Sequence, residues 1–304
     1  MPAARVIPCI ACAFGVLTLP GPSQLPSAFD YPDEIRALDS PEVEILRRNT
    51  ETHFRALLDD EAGALLDHLC SAAWALRGSD ALQAGRSLEA AAQQLAMLKQ
   101  RYSSGRPVPV AVVLEVADHA PGSEEEIVDL FAASKALLSR EKAFPAREVL
   151  VRLASEIRIR MSYLRPESYE EVITKVTALR AGGDPAGAAR ILEDWRSGIE
   201  TVEYVAPIPI GQALLKLDEA GQAGSAIERI ASLTEAERQV RRAFRLGYLD
   251  ESKLEALGKQ FVQARSAAAG PGTERPDLAV IRQALLGCRL LDSHGAGRGP
   301  SSNR

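Results

Sequence analysis

Aromatic residues make up only 5% of the 304-residue chain, and histidine and cysteine occur four times each. The aromatic shortage argues against a β-sandwich or barrel, whose strands draw on branched and aromatic side chains. Cys9 and Cys12 form a C-x-x-C, but no second pair follows at zinc-site spacing, and Cys70 and Cys288 stand alone. A redox reading of that pair needs a thioredoxin-like strand and helix around it, which the sequence does not offer. His53, His68, His119 and His294 fall in neither H-x-x-x-H nor H-E-x-x-H spacing. G-x-S-x-G, P-loop and dinucleotide fingerprints are all missing. Positive excess is missing too: the net charge is -5, so bulk electrostatics do not favour nucleic acid. The apolar run VIPCIACAFGVLTL, residues 6–19, falls short of the roughly 20 residues a membrane helix needs. These absences point away from an enzyme, a cofactor or metal protein, a nucleic-acid binder and an integral membrane protein.

The two ends differ in composition from the middle. Arg5 is the only charge before Asp30, and the apolar run follows it directly. This is the pattern of a secretory signal peptide over residues 1–28, with GPS (21–23) or PSA (26–28) as the cut site. The expected location is therefore periplasmic or secreted. Read as an uncleaved extension, the same segment leaves a cytoplasmic helical-repeat scaffold for protein–protein interaction. Residues 293–304 are rich in Gly, Ser and Arg, and too poor in apolar side chains to offset their ordering entropy.

Alanine and leucine dominate what lies between. The stretch LRAGGDPAGAARIL, residues 179–192, reads as a helix end, a turn and a helix start. Glycine suits the left-handed C-cap, Asp184 the N-cap and Pro185 the first helical position. Ala188 and Leu192 then share one face, and the small Ala188 lets two helices approach. The same offsets recur at Leu137, Ala146 and Leu150, and at Leu217, Ala226 and Ile230. Leu76, Ala84 and Leu88 fit after one deletion; Asp80 caps this copy, whereas Lys142 offers the second a poorer cap. Uneven spacing of the copies excludes a smooth 34-residue solenoid. Between them, RPVPVAVVLEVADH (106–119), EIRIRMSYLRP (156–166) and IETVEYVAPIPI (199–210) read as extended connectors, because prolines or period-two alternation oppose a helix. The last two can pair as a small β-ribbon. The two P-x-P stretches are too apolar for exposed ligands and read as buried connectors.

The expected fold is therefore mainly all-α: repeated antiparallel hairpins with short extended connectors. Residues 29–70 form an N-terminal helical segment, with a possible break at Gly63. Residues 71–245 form the hairpin domain, and residues 246–292 the C-terminal helices. There, Asp250 caps a helix running to Ala269, and residues 277–291 form a last amphipathic helix. A leftover Ala/Leu stripe on such helices suits self-association.

One charged feature stands out. In ERQVRRAFR, residues 237–245, Arg238, Arg241, Arg242 and Arg245 fall at i, i+3, i+4 and i+7, a stripe along one helix. Four guanidiniums together repel unless acids or anions meet them, which makes the stripe a candidate face for an anionic partner or ligand. The alternative is pairing with acids of the same protein. The acidic clusters Glu124–Glu126 and Glu167, Glu170 and Glu171 sit at expected helix starts, where the macrodipole favours them. An enzyme built on His53, His68 and the nearby acids Asp59, Glu61 and Asp67 would need a fold-back at Gly63.

Three stretches resemble the YfdX family of bacterial proteins. They are RPVPVAVVLEVADHAPGSEEE (106–126), KALLSREKAFPAREVLVRLASEIRI (135–159), and LRAGGDPAGAARILEDW (179–195) through YVAPIPI (204–210). The resemblance runs over residues 72–243, and the longer N-terminal part and C-terminal extension depart from it. It implies a mainly helical protein, often exported and associated with stress responses. It carries no enzymatic activity, cofactor or catalytic residue to this chain. The partner it leaves open is a protein or a small ligand.

Overall fold

The computed structural model describes residues 40–102, 106–194, 198–270 and 276–292. The expected signal peptide, Cys9 and Cys12, and the C-terminal tail with His294 lie outside them. In chain order the elements are α1 (Pro41–Arg55), α2 (Asp60–Arg77), α3 (Ala81–Arg101), β1 (Val108–Asp118), α4 (Glu124–Leu138), α5 (Ala143–Val151), β2 (Ser155–Leu164), α6 (Pro166–Ala181), α7 (Pro185–Asp194), β3 (Ile199–Pro207), α8 (Ile208–Gln222), α9 (Ala226–Arg245), α10 (Glu251–Ala269), α11 (Ala279–Leu286) and β4 (Leu291–Asp292). The fold is mainly helical, with one four-stranded sheet in the order β1-β2-β3-β4. No helix among the described residues is long and apolar enough to cross a membrane.

The described residues fall into two compact units. One holds residues 52–113 and 160–202; the other holds 40–51, 114–159 and 203–292. In the first, hairpins α2–α3 and α6–α7 pack together, α3 on α6 and α2 on α7. Ala84, Ala188, Leu192, Leu98 and Val176 are fully buried there. The small side chains at 84 and 188 permit close helix approach, as their spacing implies. In the second unit, α8, α9, α10 and α11 enclose a core around Leu217, Leu233, Val240 and Phe261. A smaller cluster of Ile127, Leu153 and Leu246 anchors the α4–α5 hairpin.

Three hairpin turns share one backbone pattern. The N–H of Asp80 donates to the Ala75 carbonyl, that of Lys142 to Leu137, and that of Asp184 to Leu179. This is the six-to-one bond of a Schellman ending. The preceding residue in each is left-handed: Ser79 at φ 59°, Glu141 at 58° and Gly183 at 82°. Asp80 and Asp184 then cap the next helix, accepting from the N–H of Gln83 at 2.9 Å and Gly187 at 2.8 Å. Lys142 makes no side-chain cap, as expected. Two sequence readings need correction. The first copy aligns without a deletion, since Ala75 rather than Leu76 matches Leu179. The copy at Leu217 lacks this turn: its helix ends at Ala223 with φ -56° and ψ 132°, and Ala226 is exposed.

The connectors form more sheet than expected. The 156–166 and 199–210 segments do become neighbouring strands, and β2 buries Ile157, Ile159 and Met161 in alternation. The 106–118 segment joins them as the outer strand β1. Pro109 has no N–H to give, which suits that edge. The second P-x-P is not extended throughout. The strand ends at Pro207, and Ile208 and Pro209 open α8, where proline costs no helical hydrogen bond. Val108, Val110, Ile208 and Ile210 are buried, as read from their apolarity.

Other boundaries also differ from the sequence reading. The break between α1 and α2 comes at Asp59, not Gly63, which lies inside α2. The last helix spans only Ala279–Leu286 and stops at Gly287, after which Leu291 and Asp292 pair with Val205 and Tyr204 of β3. Helix α10 matches expectation, with Asp250 accepting from the Lys253 N–H at 2.8 Å.

Candidate functional site

The arginine stripe lies on the last three turns of α9. That helix starts with a capping box: the Ser225 hydroxyl accepts from Glu228 N–H at 3.2 Å, and the Glu228 carboxylate accepts from Ser225 N–H at 3.1 Å. Leu233, Ala236, Val240 and Ala243 fix its inner face. The helical period then places Arg238, Arg241 and Arg245 outward, with side chains 53%, 57% and 46% exposed. Arg242 turns inward and is 11% exposed.

All four guanidiniums meet acceptors, three of them glutamate carboxylates and one a backbone carbonyl. Arg238 grips Glu235 with two bonds of 2.6 and 2.8 Å on the same helix. Arg241 donates to Glu237 at 2.7 Å, and Arg265 on α10 meets the other oxygen of that carboxylate. Burial raises the Glu237 pKa, but the bonds from Arg241 and Arg265 outweigh it and hold the carboxyl below its usual range. Arg242 donates to the Ala120 carbonyl at 2.9 Å and lies 3.8 Å from Asp118. Burial pulls its pKa down, and its Nε has no acceptor among the described residues. Arg245 lies over the Phe244 ring, 5.7 Å from its centre, and reaches Glu124 at 3.3 Å. The stripe therefore divides into three outward guanidiniums and one buried anchor.

A groove of about 250 Å³ opens beside the outward set, lined by Arg241, Arg245, Glu124, Phe244, Leu254 and Gly258 among others. A Cβ at Gly258 would meet nothing within 4 Å, so the groove floor is open there. Two guanidiniums, beside the partly exposed Glu124 and the buried Glu237, form a charge-alternating surface over apolar walls. An anionic group would meet these guanidiniums only in exchange for their own carboxylates. Glu124 is the weaker competitor, since its bond to Arg245 is long and exposed, and such pairs contribute little.

Sequence reasoning missed a polar network below this face. The Ser155 hydroxyl donates to Asp118 at 2.7 Å, and the Ser155 N–H donates to the Tyr248 oxygen at 3.2 Å. The Tyr248 hydroxyl donates to Glu156 at 2.9 Å, and Arg158 holds the other Glu156 oxygen at 2.8 Å. Burial, then the Glu156 charge, pushes the Tyr248 phenol up. Gly247, at φ 84°, makes the turn that brings Tyr248 back under α9. That glycine was the one local signal; the partners lie about 92 residues away in sequence.

The remaining candidates are placed as follows. His53 meets the Phe54 ring edge-on at 5.4 Å, and His68 sits in α2 beside Asp67, whose carboxyl burial raises. Among the described residues, no group of three or more His, Cys, Asp or Glu is placed to hold a metal ion. Cys70 and Cys288 are buried thiols. His119 lies in the turn after β1, its N–H donating to the Ala154 carbonyl at 2.8 Å. Glu124, Glu125 and Glu126 do open a helix, behind the Ser123 cap, and Glu167 opens α6.

Comparison with family models agrees with the YfdX resemblance. The family model described as "YfdX protein" matches residues 65–205. A solved structure of Salmonella Typhi YfdX is similar at 11% identity and a TM-score of 0.33, covering 48% of this chain and 90% of that one. A search of curated proteins returned no match. The family likeness read from the hairpins and connectors is thus shown as a match of the YfdX model to residues 65–205.

Proposed function

We propose that the protein is a non-enzymatic, exported, stress-associated YfdX-type protein that acts by binding. The family match over residues 65–205 is the observation that carries this reading. The export part rests on Arg5 and the apolar run at 6–19, with small residues following at 21–28. The binding part rests on α9. Arg241 and Arg245 border a groove, and their acceptors Glu237 and Glu124 belong to the same protein. A partner carrying carboxylates or phosphates competes with Glu124 for Arg245, while Arg242 keeps the helix end in place.

Two measurements test it. Mass spectrometry of the protein from fractionated cells should find an N-terminus cut between residues 20 and 30 in the exported fraction. An intact Met1 in a cytoplasmic fraction would instead favour a helical-repeat scaffold inside the cell. Capture from native periplasm under stress should retain an acidic partner or ligand with the wild-type chain, and lose it with R241E/R245E.

A further inference from the structure

We propose that a cavity in the second unit, between α1, β2, the β3–α8 junction and α11, is a binding site for a small aromatic carboxylate. Its lining combines apolar side chains, Leu46, Ile157, Ile208 and Leu214 among them, with the polar Asn49 and Thr50. Its volume is about 140 Å³. An apolar cavity of about 150 Å³ is large enough to take up benzene. Size and lining therefore fit one aromatic ring.

The lining carries net positive charge. Arg282, Asp218 and Arg289 all belong to it. Arg282 pairs with Asp218, so these two charges cancel. Arg289 is half-buried, and its guanidinium has no acidic partner among the described residues. One cation is left over at the edge of the chamber. Thr50, only 5% exposed, adds a hydroxyl to the wall. A carboxylate attached to a ring satisfies each part: the ring fills the chamber and the two oxygens meet the planar fork of Arg289. A cationic ligand would leave Arg289 opposed by like charge, and a neutral arene would leave it unused.

This site is separate from the α9 face. Leu46, Thr50, Leu214 and Arg289 also lie outside the YfdX-matched residues 65–205. The inference therefore stands whether or not the arginine face binds a partner.

Benzoate is the probe, with toluene as its uncharged counterpart, titrated into the full chain and followed by calorimetry and methyl NMR. Saturable benzoate binding is expected, with shifts confined to methyls around Leu46, Ile157, Ile208 and Leu214. R289Q should weaken benzoate at least tenfold and leave toluene unchanged. Leu215→Trp, at a partly exposed wall position, should block both. R241E/R245E should leave benzoate affinity as it was, which separates this site from the partner face. No saturable benzoate binding, equal affinity in wild type and R289Q, or equal affinity for benzoate and toluene would each overturn the proposal.

Discussion

Ser79, Glu141 and Gly183 occupy the same place in three hairpin turns, yet only one of them is glycine. The left-handed conformation costs an L-residue about 1–2 kcal/mol, and glycine adopts it freely at an entropic cost of about 0.5–1 kcal/mol. The difference gives a signed prediction. Ser79→Gly and Glu141→Gly should each stabilise the protein by about 0.5–1 kcal/mol in urea melts, and Gly183→Ala should cost about 1 kcal/mol. Unchanged midpoints would mean that the turns relax. At this scale the sequence was partly legible. Asp80, Asp184 and Lys142 announced their capping behaviour by residue type. The left-handed site did not show itself, because two of the three turns place a serine or a glutamate there. Only the backbone reveals that Ser79 carries the strain.

Helix boundaries depend on capping as well as on breaking residues, and α2 shows which wins. Gly63 looked like the break, but a single glycine costs a helix only about 1 kcal/mol. Asp59 does more. It accepts from the Ala62 N–H at 2.9 Å, the Tyr102 hydroxyl at 2.7 Å and Arg101 at 3.0 Å, with its side chain 5% exposed. Burial opposes its charge, yet these donors outweigh it and leave its pKa lowered. A carboxylate with a depressed folded pKa stabilises fully above its unfolded value, near 3.9, and loses that contribution as pH falls through the folded value. Asp59→Asn keeps a capping oxygen but drops the charge. It should cost about 1 kcal/mol at pH 7, since Arg101 is half exposed and screened. The gap between wild type and variant should shrink below pH 4. An equal gap at pH 7 and pH 3 would show that the charge is not what matters. The signal was present in the sequence as an aspartate before an acidic helix start, but its two long-range donors were not.

At the scale of the whole molecule, the hairpins and connectors were legible because they rest on local rules: period, caps and proline. Which hairpins share a core was not. The two units each draw on segments far apart in the chain, so no reading along the sequence groups α2–α3 with α6–α7. The α9 stripe shows the same limit. Its spacing correctly set four arginines on one helix. That Arg242 is buried depends on Ala120 and Asp118, more than a hundred residues away. The outward guanidiniums remain the part available to a partner. The most direct measurement places a photo-crosslinking residue at Gly258, which lines the groove beside Arg241 and Arg245 and where a side chain would meet nothing within 4 Å, in cells under stress. The account predicts crosslinks to an acidic partner in the exported fraction, lost in R241E/R245E while circular dichroism shows that the variant is still folded. Crosslinks that persist in that variant, or that arise only in the cytoplasm, would contradict it.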